Sequence, residues 1–424
     1  MQPINTIDEE SAEFLSAITC SKGAVATLLA ILLVAAVVAP VQGASLKGGN
    51  HSPISITSDF GFTSVGSAIG CACVSDGTGS SSDPFEIGPW TIMATSSGPG
   101  VLISGVTKFF AMSHLTIHGT GVNDGIDLVN LNAVGPSGEH LDSITAVNID
   151  GARNGIALAQ VAGVSISGNS LNNNRAWGIR LLNSHDNTIT FMTISHNGLL
   201  NPDSTELPES AGAFLQNEFF GGVLFMDSDH NTLSRSQLSE DAYAGFVLVR
   251  SDFNTVFDIN SRYPDYFGGV LQDSSSNVLN RIDMQTADFD GLVIRGGGSN
   301  TVEFSDFSAN GPIGNELKAH VVPYFVAGIY LGWGTHDNHI VFDHANRGNT
   351  GPSLVVDDGS IVNPVQTPLQ DQNPFNGAGG NDPGTVPAVS AFDPGAGTAA
   401  GAGNVYCGNS FVSFTGPTDP NDSC

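Results

Sequence analysis

Five stretches of this chain repeat one another at a fixed interval, and that interval restricts the fold more than any other feature. GIRLLNSHDNTI begins at Gly178, GVLFMDSDHNTL at Gly222, GFVLVRSDFNTV at Gly245, GGVLQDSSSNVL at Gly268 and GLVIRGGGSNTV at Gly291. Each opens on Gly, runs through apolar residues and reaches an asparagine: Asn187, Asn231, Asn254, Asn277 and Asn300. The last four asparagines are 23 residues apart, and the first step is 44, one unit plus an insert. Weaker copies open at Gly125 (GIDLVN), Gly155 (GIALAQ) and Gly328 (GIYLGWGTHDNHIVF), so the repeat runs at least from Gly125 to Phe342.

Each unit holds short runs of Val, Ile, Leu, Phe and Thr broken by Gly, Asn, Asp and Ser, with no sustained helical period. A unit of this length accommodates two or three short strands and tight corners. Alone it cannot bury its apolar side chains. Stacked copies, about 4.8 Å apart, close the backbone hydrogen bonds and the core together. Asparagine at a recurring corner can relay amide hydrogen bonds along the stack, and glycine is expected to give the backbone freedom to turn into a strand. The pattern resembles the right-handed parallel β-helix repeat family, the pectate-lyase-like and polygalacturonase-like scaffold that alginate epimerases share. That resemblance implies an all-β, single-stranded right-handed solenoid with rungs of 23 residues. It does not fix the chemistry, because many activities sit on this scaffold.

The expected organisation has four parts. Residues 1–44 read as an export segment, a signal peptide or a membrane anchor: Gly23 to Val41 is apolar, small residues follow, and the lead is acidic rather than basic. Residues 45–350 form the β-helix, 351–403 a Gly/Pro/Ala-rich loop or linker, and 404–424 a terminal strand segment with a disulfide. Export places the remainder at the cell surface, in the periplasm or outside the cell, with membrane contact only through an uncleaved N-terminal segment. Beyond that segment lie Cys71, Cys73, Cys407 and Cys424; Cys407 with Cys424 is one pairing, and Cys71 or Cys73 reaching the C-terminus is another. A net charge of -28 excludes nucleic acid as a partner, since phosphate binding needs clustered Lys and Arg.

In-register stacking turns sequence offsets into neighbours. Phe220, Tyr243, Tyr266 and Phe289 recur at 23 residues and predict an aromatic edge. Asp227, Arg250 and Asp273, and likewise Arg235, Asp258 and Arg281, alternate in sign at the same step and predict ion-pair ladders. Asp241, Asp265, Asp288 and Asp290 lie along the aromatic edge. Asp241, Asp265 and Asp288 are the candidate acid–base groups, or ligands for Ca²⁺, and Tyr243, Tyr266, Phe289 and Arg250 the candidate substrate-binding groups. Leu199 to Phe219 and Pro312 to Ala327 interrupt the repeat and are expected either to wall a cleft over the rungs between them or to cover apolar strand faces such as Leu224, Val247, Val270 and Val293.

Asp124-Gly125-Ile126-Asp127 resembles part of the N-x-D-G-x-D motif of polygalacturonases, but Val122 stands where that family has Asn. The Asp-Asp pair, G-H-G and R-I-K segments are also missing, so no catalytic role transfers to Asp124 or Asp127. His336, His339 and His344, with Asp337 and Asp343, have no metal-site spacing and read as turn residues. The expected partner is an extracellular polysaccharide, bound or processed by lyase, hydrolase or epimerase chemistry, with no cofactor beyond the Ca²⁺ candidate. The alternative is a non-catalytic surface, adhesion or structural module.

Overall fold

The computed structural model describes residues 48–135, 137–198, 220–288, 290–310, 328–332, 335–336 and 338–341, and the strand segments 354–356, 391–392 and 405–407. The export segment, both inserts, Phe289 and most of the residues after 341 lie outside them. Contacts divide the chain between Lys47 and Gly48, and every described residue belongs to the second unit.

That unit is a parallel β-helix. One sheet has twelve strands and the other eighteen, and each turn of chain contributes to both. The 23-residue interval is the pairing register: Val223 pairs with Phe246, Phe246 with Gly269 and Gly269 with Leu292. Longer steps arise where chain is inserted, as between Ile179 and Val223. Each turn crosses the twelve-stranded sheet once, then makes two short strands of the other sheet or one long bent strand such as Thr255–Arg262. The one helical element among the described residues is the 3-10 turn Asp59–Gly61.

Alternation along each strand sends one set of side chains inward. Ile126, Ile156, Ile179, Val223, Phe246, Leu292 and Ile329 are in register and fully buried, part of a core that continues from Ile54 to Ile340. Gly269 interrupts that column. A Cβ there would come within 2.7 Å of the Phe246 ring and 2.8 Å of Met284 Cε, so the Phe246 ring fills the space of two residues.

The opening glycines act differently from the sequence expectation. Among the described residues Gly125, Gly155, Gly178, Gly222, Gly245, Gly268 and Gly291 do not have positive φ. A Cβ on each would lie 2.3–2.8 Å from a glycine carbonyl oxygen of the next turn. The residue is needed because two backbones approach closely there. The left-handed corners are filled by other residues, including Asp227, Arg250 and Asp273 at one corner and Arg235, Asp258 and Arg281 at another. Gly268→Ala should therefore cost about 2–3 kcal/mol, the usual penalty for overpacking a rigid site, because Gly291 O at 2.4 Å and Met284 Cβ at 2.6 Å are both fixed. Urea unfolding of wild type and variant checks this; an unchanged midpoint would remove the steric explanation.

Asparagine does relay hydrogen bonds. The Asn187, Asn231, Asn254, Asn277 and Asn300 backbone N–H groups each donate to the side-chain oxygen of the next asparagine in the column, at 2.8–3.0 Å, ending on Asn338. Two further columns run beside it. Ser184, Ser228 and Ser251 donate their N–H to the next serine hydroxyl, ending on Ser274. Asn174 and Asn197 donate in the same way, ending on Asp241. Of the expected ion pairs, Arg250 holds Asp227 through two bonds of 2.7 and 2.8 Å, and Arg281 holds Asp258 through bonds of 2.5 and 3.1 Å. Arg235 lies instead over the rings of Phe191 and Phe257.

Cys71 and Cys73 are bonded to each other rather than to the C-terminal cysteines. Cys407 ends the strand Val405–Cys407, and Cys424 lies outside the described residues.

Candidate functional site

The side chains singled out by sequence divide into three places. Tyr243, Tyr266, Asp265 and Asp288 gather where the chain enters the twelve-stranded sheet. The Tyr243 and Tyr266 ring centroids are 6.0 Å apart, and Phe267 sets its ring edge-on to Tyr243 at 5.5 Å. Tyr243 is buried and Tyr266 half-buried. Burial raises the Tyr266 hydroxyl pKa, and the nearby Asp265 and Asp288 carboxylates raise it further. The register of Gly269 with Leu292 puts Asp265 and Asp288 at equivalent positions of adjacent turns, about one strand spacing apart along the backbone. Asp265 is exposed and Asp288 half-buried. Phe289, the next aromatic in the sequence series, is outside the described residues.

Asp241 belongs elsewhere. Its side chain is fully buried, and Oδ1 accepts from the Asn197 backbone N–H at 2.9 Å and from Nδ2 at 3.0 Å. It occupies an asparagine position in a core column, out of reach of any ligand. Among the described residues its Oδ2 has no hydrogen-bond partner. Burial pushes the carboxyl up to about 8 against the two bonds from Asn197, with Asp265 and Glu240 adding repulsion. The structure thus corrects the assignment of Asp241 as an acid–base group.

Arg250 is also separated from the aromatic edge. It follows the strand Ala244–Val249 at the far end from Tyr243 and is engaged with Asp227. Six strand residues span about 20 Å, so Arg250 and Tyr243 do not share a subsite.

The expected cleft floor is covered. Leu224, Val247, Val270 and Val293 form one outward column of the twelve-stranded sheet, yet they are at most 6% exposed and pack with Trp177, Tyr243, Phe267 and Tyr330.

One group set aside in the sequence returns. Asp127 points outward from the twelve-stranded sheet, in register with Ala157 and then Arg180 on the next two turns. Burial raises its carboxyl to about 6; Asp124 adds to the rise and Arg180 opposes it. Asp124 is raised as well, by burial, while Asn154 holds it through Nδ2 at 2.7 Å and the backbone N–H at 3.2 Å. Ala157, between Asp127 and Arg180 in that column, is buried. Counting back from the register pairs, Asn123, Arg153, Ala176, Phe220, Tyr243 and Tyr266 fall in one column. Asp124 and Tyr266 therefore lie along the same edge of the same sheet, five turns apart, or about 24 Å.

A half-buried carboxyl titrating near 6 suits proton transfer near neutral pH. The tyrosine edge offers ring surface beside two carboxylate acceptors. Among the described residues no three His, Cys, Asp or Glu side chains converge as metal ligands, so the Ca²⁺ expectation has no cluster to rest on there.

Residues 100–260 match the family described as the right handed beta helix region. That gives the described coil its hand and bears out the resemblance drawn from the repeat. No curated protein matches the sequence. Several solved structures are similar. A periplasmic alginate epimerase is 12% identical, with 64% of this chain and 81% of that one covered and a TM-score of 0.38. The A-module of a mannuronan C-5 epimerase from Azotobacter vinelandii is 13% identical, with 63% and 71% covered and a TM-score of 0.43. The Dettilon tailspike protein is 12% identical, with 78% and 60% covered and a TM-score of 0.45.

Proposed function

We propose that this right-handed β-helix, exported from the cytoplasm, binds a polysaccharide along the edge that runs from Asp124 to Tyr266 and processes it by proton transfer at Asp127. The observation that carries the reading is the placement of Asp124, Tyr243 and Tyr266 along one edge of one sheet, with Asp127 on the outward face of the same sheet beside that edge. An extended ligand fits a line of stacked turns better than a compact one does. Tyr266 supplies a ring for a sugar face, and Asp265 and Asp288 accept hydrogen bonds from sugar hydroxyls. Asp127 is the proton donor, Asp124 stands beside it, and Arg180 faces the pair from two turns away.

The test is a glycan array with the full chain, coupled to detection of unsaturated or reducing-end products. Tyr266→Ala should weaken binding about 3- to 10-fold, the value of one aromatic contact. Turnover should fall as pH rises through about 6, because Asp127 loses its proton there. Binding that survives Tyr266→Ala and Asp288→Asn unchanged would overturn the assignment of the edge. Binding without any cleaved or epimerised product would favour the non-catalytic module.

A further inference from the structure

Near the first turns of the coil, two cysteines separated by one residue are joined, Cys71 to Cys73. A bond that closes so short a loop removes the least freedom from the unfolded chain. Stabilisation does not account for it, and its surroundings treat the two sulfurs unequally.

Cys73 is fully buried, and its carbonyl accepts from Trp90 Nε1 at 3.1 Å. Cys71 is half-buried. The Cys73 backbone N–H donates to Cys71 Sγ at 3.2 Å; the Thr63 carbonyl oxygen lies 3.7 Å from that sulfur, and the Thr63 hydroxyl, 4.0 Å away, donates to the Ile69 carbonyl at 2.9 Å. Thr63 also fixes the link between the cysteines, accepting from the Ala72 N–H at 2.8 Å. Ala72 itself takes a left-handed conformation, φ 53°. The Cys73 N–H aimed at Cys71 favours its thiolate, while burial in apolar surroundings disfavours that of Cys73.

We propose that Cys71–Cys73 is a thiol–disulfide exchange centre in which Cys71 is the sulfur that meets the external partner, a low-molecular-weight thiol or its disulfide. This stands apart from the polysaccharide reading. In the reducing direction an external thiolate attacks Cys71 Sγ, the Cys71–Cys73 bond breaks, and Cys73 leaves as a thiolate and takes up a proton. A second external thiolate attacks the external sulfur of the mixed disulfide. Cys71 is released as a thiolate, and two external thiols have become one disulfide. In the oxidising direction Cys71 thiolate attacks the external disulfide, and Cys73 then closes onto Cys71, so two external thiolates leave.

The experiment equilibrates the folded full chain in glutathione buffers, traps free thiols with iodoacetamide and maps the peptides by mass spectrometry, with circular dichroism monitoring the fold. The expected result is a native Cys71–Cys73 bond that glutathione reduces while the coil stays folded. In the single variants, Cys71 in Cys73→Ser should capture glutathione disulfide at least about tenfold faster than Cys73 in Cys71→Ser, as thiolate character dictates. The proposal is overturned if Cys71 is linked to a different cysteine, if the bond is reduced only after unfolding, or if the two single variants react at the same rate.

Discussion

Asn254→Ala should lower stability by about 4 kcal/mol, given that each buried group left unpaired costs about 1–3 kcal/mol. Asn254 is fully buried and serves three turns at once. Its Oδ1 accepts from the Asn231 N–H at 2.8 Å, and its Nδ2 donates to Ser228 O at 3.0 Å and Asp252 O at 3.1 Å. Nδ2 also approaches Asn277 Oδ1 at 3.2 Å. Alanine removes all of these and leaves the Asn231 N–H and the Ser228 carbonyl inside a dry core. Because the column is shared, Asn254→Ala combined with Asn277→Ala should cost less than the sum of the two single changes. Urea denaturation of the three variants measures both effects. A loss under about 1 kcal/mol, the net value of one ordinary hydrogen bond, would show that the column contributes nothing special.

The second large effect is a dependence on pH. Asp241 fills an asparagine position in its column, and the residue that follows it one turn later is Pro264, which has no side-chain amide and no N–H. With Glu240 and Asp265 close by, the buried carboxyl keeps its proton up to about pH 8, against an ordinary value of 3.8. A carboxyl whose pKa is raised by folding stabilises the fold fully below its ordinary value. That contribution is lost as pH rises towards the folded value. Stability should therefore fall by about 1.4 kcal/mol per pH unit over this window from Asp241 alone. Asp142, buried and lifted to about 7 while accepting from the Phe110 N–H, acts in the same sense. Asp241→Asn restores the side chain that its column carries at Asn174 and Asn197, with Nδ2 in place of the unpartnered Oδ2. The variant should match wild type near pH 4 and exceed it by several kcal/mol at pH 8. Equal stability of the two proteins at both ends of the range would mean that Asp241 is not held protonated.

How far the sequence could be read depended on whether a residue's role follows from its spacing. The asparagine column and the Tyr243–Tyr266 contact did follow, because 23 residues is one turn and parallel pairing carries every offset into space. Asp241 did not. Its charge suggests the acidic edge, whereas its position is that of a core asparagine. The signal was present: Asn174, Asn197 and Asp241 are separated by 23 and 44 residues, and the step from Asn187 to Asn231 is also 44. The serine column at Ser184, Ser228, Ser251 and Ser274 carries the same steps.

The opening glycines illustrate another limit. Periodicity located them, but whether a glycine serves φ or contact distance depends on the neighbouring backbone, which no single turn contains. Asp127 stands within DGID, but the surrounding family motif is incomplete and assigns it no role. Its raised pKa comes from burial on a sheet face beside Asp124, a matter of packing rather than of motif. Arg250 belongs to the same turn as Tyr243, but a six-residue strand separates them.

All of these assignments depend on consecutive turns lying in register, so that residues 23 apart become neighbours. A crystal structure of the full chain tests this most directly, through the distance between the Asn254 and Asn277 α-carbons. One interstrand gap, about 4.8 Å, is the predicted result; a separation of two gaps, about 10 Å, would contradict it.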